Sequence, residues 1–214
     1  MVKAAARRGK SDARIKKDQA TRLLLIETAG KLIGEHGYAG CSIARLTLSV
    51  GIAHGAFYLH FASQQDLFDQ ILPTLGTEMA DEIGNAVRDC MNVVEAERRG
   101  FLANFEYLNR HPYMYRVMAE AELFAPAAYM RYQKSAVEKY AKSLKRNMAP
   151  ELAGQFELEE LKVIATALVG ARINLLRNYG VKDWMIHPIP PGVLDAYERF
   201  TAHSLRALVS DHRA

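Results

Sequence analysis

The sequence predicts an all-α protein, with an N-terminal three-helix helix-turn-helix head and a longer C-terminal helical body. Three observations predict this. Apolar residues recur at steps of three and four along most of the chain. Sustained apolar–polar alternation between turn dipeptides is missing. Pro112, Pro126 and Pro150 fall where helices would end or begin, the first two suited to a helix's first turn. At 214 residues, half apolar and 24% charged, the chain can bury a sizeable core, which excludes overall disorder.

The first stretch, residues 1–18, reads as a flexible basic arm. Up to Arg22 there are eight basic residues against Asp12 and Asp18, whereas the remainder carries 20 basic and 22 acidic ones. A basic arm before a near-neutral body suits a nucleic-acid ligand, and suits a solvated tail as well. Residues 19–66 form the expected head and residues 67–214 the expected body. Within the head, Leu25, Ile26, Ala29, Leu32 and Ile33 make the stripe of an amphipathic helix. It ends at His36-Gly37, where glycine takes a left-handed conformation without cost. Ser42 stands before Ile43, Leu46 and Val50 and can cap a helix of about two turns, which Gly51 closes. His54 begins a second short helix with Phe57 and Phe61 on its buried face, and Ser63 with Asp66 makes a capping box for the next. Pro73, inside that next helix, predicts a kink or break.

Two short helices joined at a glycine after a longer amphipathic one read as helix-turn-helix, the second presenting His54, Gly55, Ala56, Tyr58 and His60 to a major groove. At these residues the sequence resembles the TetR (tetracycline-repressor) family of bacterial transcription regulators. The likeness runs from Thr21-Arg22 through Leu25-Ile26, Ala29, Leu32-Ile33, Gly37-Tyr38, Ser42-Ile43, Leu46, Gly51-Ile52, Gly55 and Phe57-Tyr58 to His60-Phe61, Ser63 and Leu67, roughly the first third of the chain.

The resemblance implies that Ser42 caps the second helix and meets a phosphate, while Tyr58 and His60 bond the DNA backbone. Such contacts position without specifying sequence. It assigns base reading to Ala44, Arg45, His54, Gly55 and Ala56, with Arg22 and Gln64 completing the expected DNA-contacting set. Arg45 is either a bidentate guanine reader or a phosphate clamp. Three positions depart from the family's habit. Ala56 lacks a hydroxyl, Gln64 stands where lysine is common, and Arg45 stands where an acidic residue is frequent. The arm and Arg45 are therefore expected to supply more of the electrostatics. The arm could lie along a minor groove, in which case affinity falls steeply with salt.

Catalysis and metal binding find no support. The chain has no G-x-S-x-G, P-loop or dinucleotide fingerprint. His54 and His60 are six apart, on different faces, with no cysteine or carboxylate completing a ligand set. No cofactor is expected. Cys41 and Cys90 are too few for a disulfide framework. Cys41 reads as an inert small residue, with a redox switch as the alternative. No apolar run approaches the roughly 18 residues of a membrane span, and no secretory signal follows the basic N-terminus. A cytoplasmic protein with no membrane partner is expected.

In the body, Phe101, Phe105, Tyr113, Met114, Met118, Phe124 and Tyr129 concentrate aromatics and thioethers in one stretch. They can line an adaptable apolar pocket or fill a packed core. The resemblance implies a pocket for a small-molecule effector, and the segment from His111 to Tyr129 is similar to members that sense acyl-type ligands. Arg116, Glu120, Glu122, Arg131 and Arg172 could fix a ligand's head group or form ion pairs. Leu161, Leu168 and Leu175 in one helix and Tyr197, Thr201 and Leu208 in the last make stepped stripes. Paired across two copies they give a four-helix dimer interface, the family's mode.

The expected function is a ligand-responsive, homodimeric repressor bound to a palindromic double-stranded operator. The alternative is a ligand-independent DNA binder with a packed regulatory core. Effector, operator and the choice between repression and activation are not encoded legibly.

Overall fold

The computed structural model describes residues 2–211, with side chains for 14–150 and 152–207. The order of elements is α1 (Val2–Gly40), α2 (Ile43–Val50), a 3-10 helix (His54–Leu59), α3 (Gln64–Ala86), α4 (Val93–Arg110), α5 (Tyr113–Phe124), α6 (Pro126–Arg146), α7 (Pro150–Ala153), α8 (Leu158–Leu175) and α9 (Pro191–Asp211). Between α8 and α9 lie a π-helical turn (Leu176–Gly180) and a small antiparallel hairpin, β1 (Val181–Lys182) and β2 (Met185–Ile186). Asp183 and Trp184 turn this hairpin with positive φ at both positions. The fold is all-α, as the periodicity predicts.

The chain divides into two compact units, one of residues up to Leu75 with Arg116–Tyr129, the other of Gly76–Tyr115 with residues from Met130 on. The first unit is built on the stripe read in the sequence: Leu25, Ile26, Ala29 and Ile33 are buried with Leu46, Phe57, Phe61, Leu67 and Ile71. Each of the larger side chains contributes about 1.5–3 kcal/mol by leaving water. α1 already begins at Val2, so the expected arm is the N-terminal part of that helix. Side chains up to residue 13, and with them most of the arm's charges, lie outside the described residues.

Gly37 breaks α1 with φ 73° and ψ 170°, a positive φ as expected but with extended ψ, a combination essentially reserved for glycine. Packing needs glycine here as well. A Cβ would come within 2.7 Å of Arg116 Nη2 and 2.9 Å of Glu120 Oε2. These two α5 side chains pair at 2.7 Å and hold the break on both sides. Arg116 donates to the Glu35 carbonyl (3.2 Å), and Glu120 accepts the Tyr38 N–H (2.9 Å).

Pro73 stands inside α3 without ending it, so the expected break is not formed. In the second unit Asn92 caps α4 and Pro126 and Pro150 open α6 and α7. Glu157 and Glu160 form a reciprocal capping box at α8. The core joins Val93, Ala141, Leu144, Met148, Phe156, Leu161, Ala165, Leu168 and Leu205.

Candidate nucleic-acid interface

In the first unit α2 is fixed at both ends by local chemistry. Ser42 Oγ accepts the Arg45 N–H at 3.3 Å, and Gly51, at φ 75° and ψ 33°, closes the helix in the left-handed region. The element after it is a 3-10 helix rather than the expected α-helix. Its bonds run from Ala56 N–H to the Ala53 carbonyl (2.8 Å) and from His60 N–H to Phe57 (2.9 Å). Six residues that include a glycine are too short to favour the wider turn, and 3-10 geometry is common at this length. Phe57 and Phe61 face the core as read from the sequence, stacked at 5.6 Å. At α3, Ser63 accepts the Asp66 N–H (3.1 Å), while Asp66 reaches back to the Ala62 N–H (2.9 Å) rather than to that of Ser63.

These anchored elements display one exposed set: Ser42, Ala44, Arg45, His54, Gly55 and Tyr58, with Ala56 half-buried among them. Nothing lies within 4 Å of a Cβ built on Gly55, so the outer side of the 3-10 helix is open to a close-approaching partner. Arg45 Nη1 donates to the Gly40 carbonyl at 2.8 Å, which holds the guanidinium beside the α1–α2 turn while leaving the residue exposed. Leu59 is also exposed on this side, unforeseen in the sequence.

Three residues expected at the interface are engaged within the unit. The Arg22 guanidinium donates to the His60 carbonyl and to Gln70, and lies 4.2 Å over the Phe61 ring. Gln64 donates to the Cys41 carbonyl at 2.9 Å. His60 is largely covered, with Nδ1 3.1 Å from Asp18 Oδ1. Asp18 was missed because a lone carboxylate in a basic run carries no pattern. Cys41 is buried, and burial pushes its thiol up to about 11 against the opposing pull of Arg45, which keeps it protonated and unreactive.

The body residues divide between the units. Met118, Phe124 and Tyr129 belong to the first, where Phe124 stacks on Tyr38 at 5.5 Å. Phe101, Phe105, Tyr113, Met114 and Arg172 belong to the second. There Phe101 stacks on Tyr197 (4.2 Å) and packs edge-on against Phe105, and Met114 is fully buried. Arg172 is an ion-pair member: its Nη2 lies 2.8 Å from Glu97 Oε2 and 2.7 Å from the Tyr140 hydroxyl, and Tyr197 donates to Glu97 Oε1 at 2.6 Å. Burial and the Glu97 charge push Tyr140 and Tyr197 well above the usual phenol range, which keeps both as donors.

The stripe assigned to dimerisation points inward. Leu161, Leu168, Tyr197 and Thr201 are buried inside the second unit, Leu175 is half-buried, and the side chain of Leu208 lies outside the described residues. α8 is apolar on more than one face, so periodicity alone did not fix which face turns out. The outward apolar residues are Val163 (71% exposed) and Ile173 on α8 and Phe200 (63%) on α9.

Among the described residues, no group of three or more His, Cys, Asp or Glu is placed to hold a metal ion, and no helix is long and apolar enough to cross a membrane.

A capped helix, a glycine turn and a second short helix over one apolar core define the first unit as a helix-turn-helix module of bacterial-regulator type. Residues 25–71 match the family of bacterial regulatory proteins named for tetR. Over 82 residues the chain is 30% identical to the transcriptional repressor AcnR of Corynebacterium diphtheriae, covering 37% of this chain and 43% of that one. The chain spans about half the length of the curated relatives it matches. Among solved structures, a TetR-family transcriptional regulator from Pectobacterium atrosepticum superposes with a TM-score of 0.65 at 21% identity, over 90% of this chain and 96% of that one. The regulator FadR of Bacillus subtilis, in complex with stearoyl-CoA, gives 0.59 at 12% identity over 88% and 97%. These likenesses show the shared fold.

Proposed function

We propose that the protein is a homodimeric DNA-binding repressor that holds a palindromic operator and is released by a small apolar or acyl-type effector. The observation that carries this reading is the exposed set on α2 and the 3-10 helix, above all Arg45, His54, Gly55 and Tyr58, presented by a helix that Ser42 caps and Gly51 closes and by the short helix that follows it. Tyr58 and Ser42 serve as phosphate contacts and Arg45 as the base reader.

Two copies meet through the outward side of α8 and α9. Val163, Ala167, Gly170 and Ile173 recur along one face of α8, and the small residues at its centre admit close approach of a second helix. Phe200 supplies the large apolar contact from α9. Two-fold symmetry then sets paired recognition elements about 34–36 Å apart, or a multiple of it. α3 runs unbroken from the first unit into the second and is the lever by which an effector changes that spacing. To move the population from 1:99 to 99:1 the effector must favour the released state by about 5.5 kcal/mol.

The likeness to FadR with stearoyl-CoA makes a long-chain acyl-CoA the first effector to test. A ligand-independent regulator is the second reading, favoured by the stacking of Phe101 and the full engagement of Arg172. The test selects duplexes from a random library with the full-length protein, then adds stearoyl-CoA. A palindromic consensus whose complex dissociates with acyl-CoA is expected, and Arg45→Ala should relax one base pair per half-site at a cost of about 1–3 kcal/mol of discrimination. Failure to enrich any sequence overturns the DNA reading. Complexes indifferent to acyl-CoAs and other apolar effectors favour the ligand-independent one.

A further inference from the structure

The 3-10 helix from His54 to Leu59 turns once every three residues, so its side chains stand in three rows. One row faces the core: Phe57 is fully buried, and the His60 side chain, three residues on, keeps 9% of its exposure. A second row carries Gly55 and Tyr58, both exposed. The third carries Ala56, half-buried, and Leu59, 80% exposed. Exposed leucines are ordinary on protein surfaces, and Leu48 on α2 and Leu123 on α5 are others, so exposure alone assigns nothing. What sets Leu59 apart is its row. Ala56 and Leu59 offer no side-chain donor or acceptor, yet they adjoin the row of Gly55 and Tyr58 on the same short helix. Nothing lies within 4 Å of a Cβ built on Gly55, so a duplex seated against Gly55 and Tyr58 meets the adjoining row as well.

We propose that Leu59, with Ala56 behind it, reads thymine through the C5-methyl group in the major groove. The inference rests on the DNA-binding reading above and names the base feature that this side of the helix selects. A phosphate set against a leucine loses water and gains no bond. Base edges in the major groove are polar as well, with one exception: thymine presents a methyl group there. An apolar row that enters the groove beside a polar one therefore finds its favourable partner at thymine. Cytosine at the same place leaves its amino group facing a side chain that accepts nothing. Ala56, one turn earlier, adds a second methyl-sized apolar surface and no polar group.

Deoxyuridine tests this at one group, because it pairs as thymidine does and lacks only the methyl. The experiment selects a duplex with the full-length protein, replaces thymine by uracil at one symmetric pair of positions at a time, and measures Kd. Wild type should weaken about fourfold per half-site at the position Leu59 reads, the factor for one methyl-sized group leaving water. Leu59→Ala should bind the thymine duplex more weakly and treat thymine and uracil there alike. Leu59→Met keeps an apolar side chain of similar volume and should keep the discrimination. Leu123→Ala removes a leucine of similar exposure (78%) outside the two short helices and should discriminate as wild type does.

Uracil tolerated at every position, or a Leu59→Ala variant that still distinguishes thymine from uracil as wild type does, overturns the inference and leaves the DNA reading standing. Loss of the discrimination in Leu123→Ala overturns it too, because the effect then belongs to the unit as a whole and not to Leu59. If no duplex is bound, the DNA reading falls and takes the inference with it.

Discussion

The two units of this chain put their polar groups to opposite uses. In the helix-turn-helix unit they sit at the surface and finish helices over short distances. Ser42 serves the N–H three residues on, Ser63 does the same for Asp66, and Gly51 closes the helix it follows. In the second unit the main polar cluster is buried and assembled from four helices: Glu97 on α4, Tyr140 on α6, Arg172 on α8 and Tyr197 on α9. Partners there are separated by up to 100 residues. Local caps contribute about 1 kcal/mol each and fail singly. A buried ionic cluster is different, because removing one member leaves a charge that nothing else can satisfy.

The largest effect should follow from breaking that cluster. Glu97→Gln keeps the shape but removes the charge opposite Arg172, and is expected to cost about 3–5 kcal/mol in urea unfolding. Replacing both members with apolar residues, Glu97→Leu with Arg172→Met, should recover most of the loss. A single-variant cost under about 1 kcal/mol would show that the tyrosine hydroxyls and solvent suffice, and that the contrast between the units is overstated.

A smaller effect belongs to a long-range polar device of the first unit. Gly37→Ala forces a Cβ onto a backbone at φ 73° and against the Arg116–Glu120 pair, for about 1–3 kcal/mol of strain. The measurement is again the unfolding midpoint. Unchanged stability would mean that the α1 break relaxes to an ordinary helix end, and that α5 does not need to grip it.

How much of this was legible follows the same division. The first unit was read nearly residue by residue, because a single apolar stripe in α1 and caps at three-residue spacing leave few alternatives. What was missed there involves a second segment: Asp18 reaching His60, Gln64 turning to Cys41, Arg22 drawn onto Phe61. The expected α-helix at His54 became a 3-10 turn, a choice made by bond geometry that composition does not carry. In the body, helix ends were marked by Pro126 and Pro150, but orientation was not. α8 carries Leu161, Ala165 and Leu168 on one side and Val163, Ala167 and Ile173 on another, so both faces read as apolar, and only packing shows which is inside. Arg172, named as a head-group or ion-pair candidate, could not reveal its partner, since Glu97 lies 75 residues away.

The smallest effect sharpens the comparison most, because it separates a cap from a DNA contact at one atom. Ser42 Oγ accepts the Arg45 N–H at 3.3 Å, a long bond, so Ser42→Ala should cost about 0.5–1 kcal/mol of stability, at the low end of capping effects. If the same hydroxyl also donates to a phosphate, DNA affinity falls as well, but that loss alone could come from a frayed α2. Ser42→Asp resolves the two. Aspartate caps as well as serine, and its charge at a helix N-terminus adds to stability, so the unfolding midpoint should hold or rise. The same charge repels a phosphate, so DNA affinity should drop further than with alanine. Should Ser42→Asp bind DNA as well as wild type, Ser42 serves the helix alone, and the phosphate contacts of this unit begin at Tyr58.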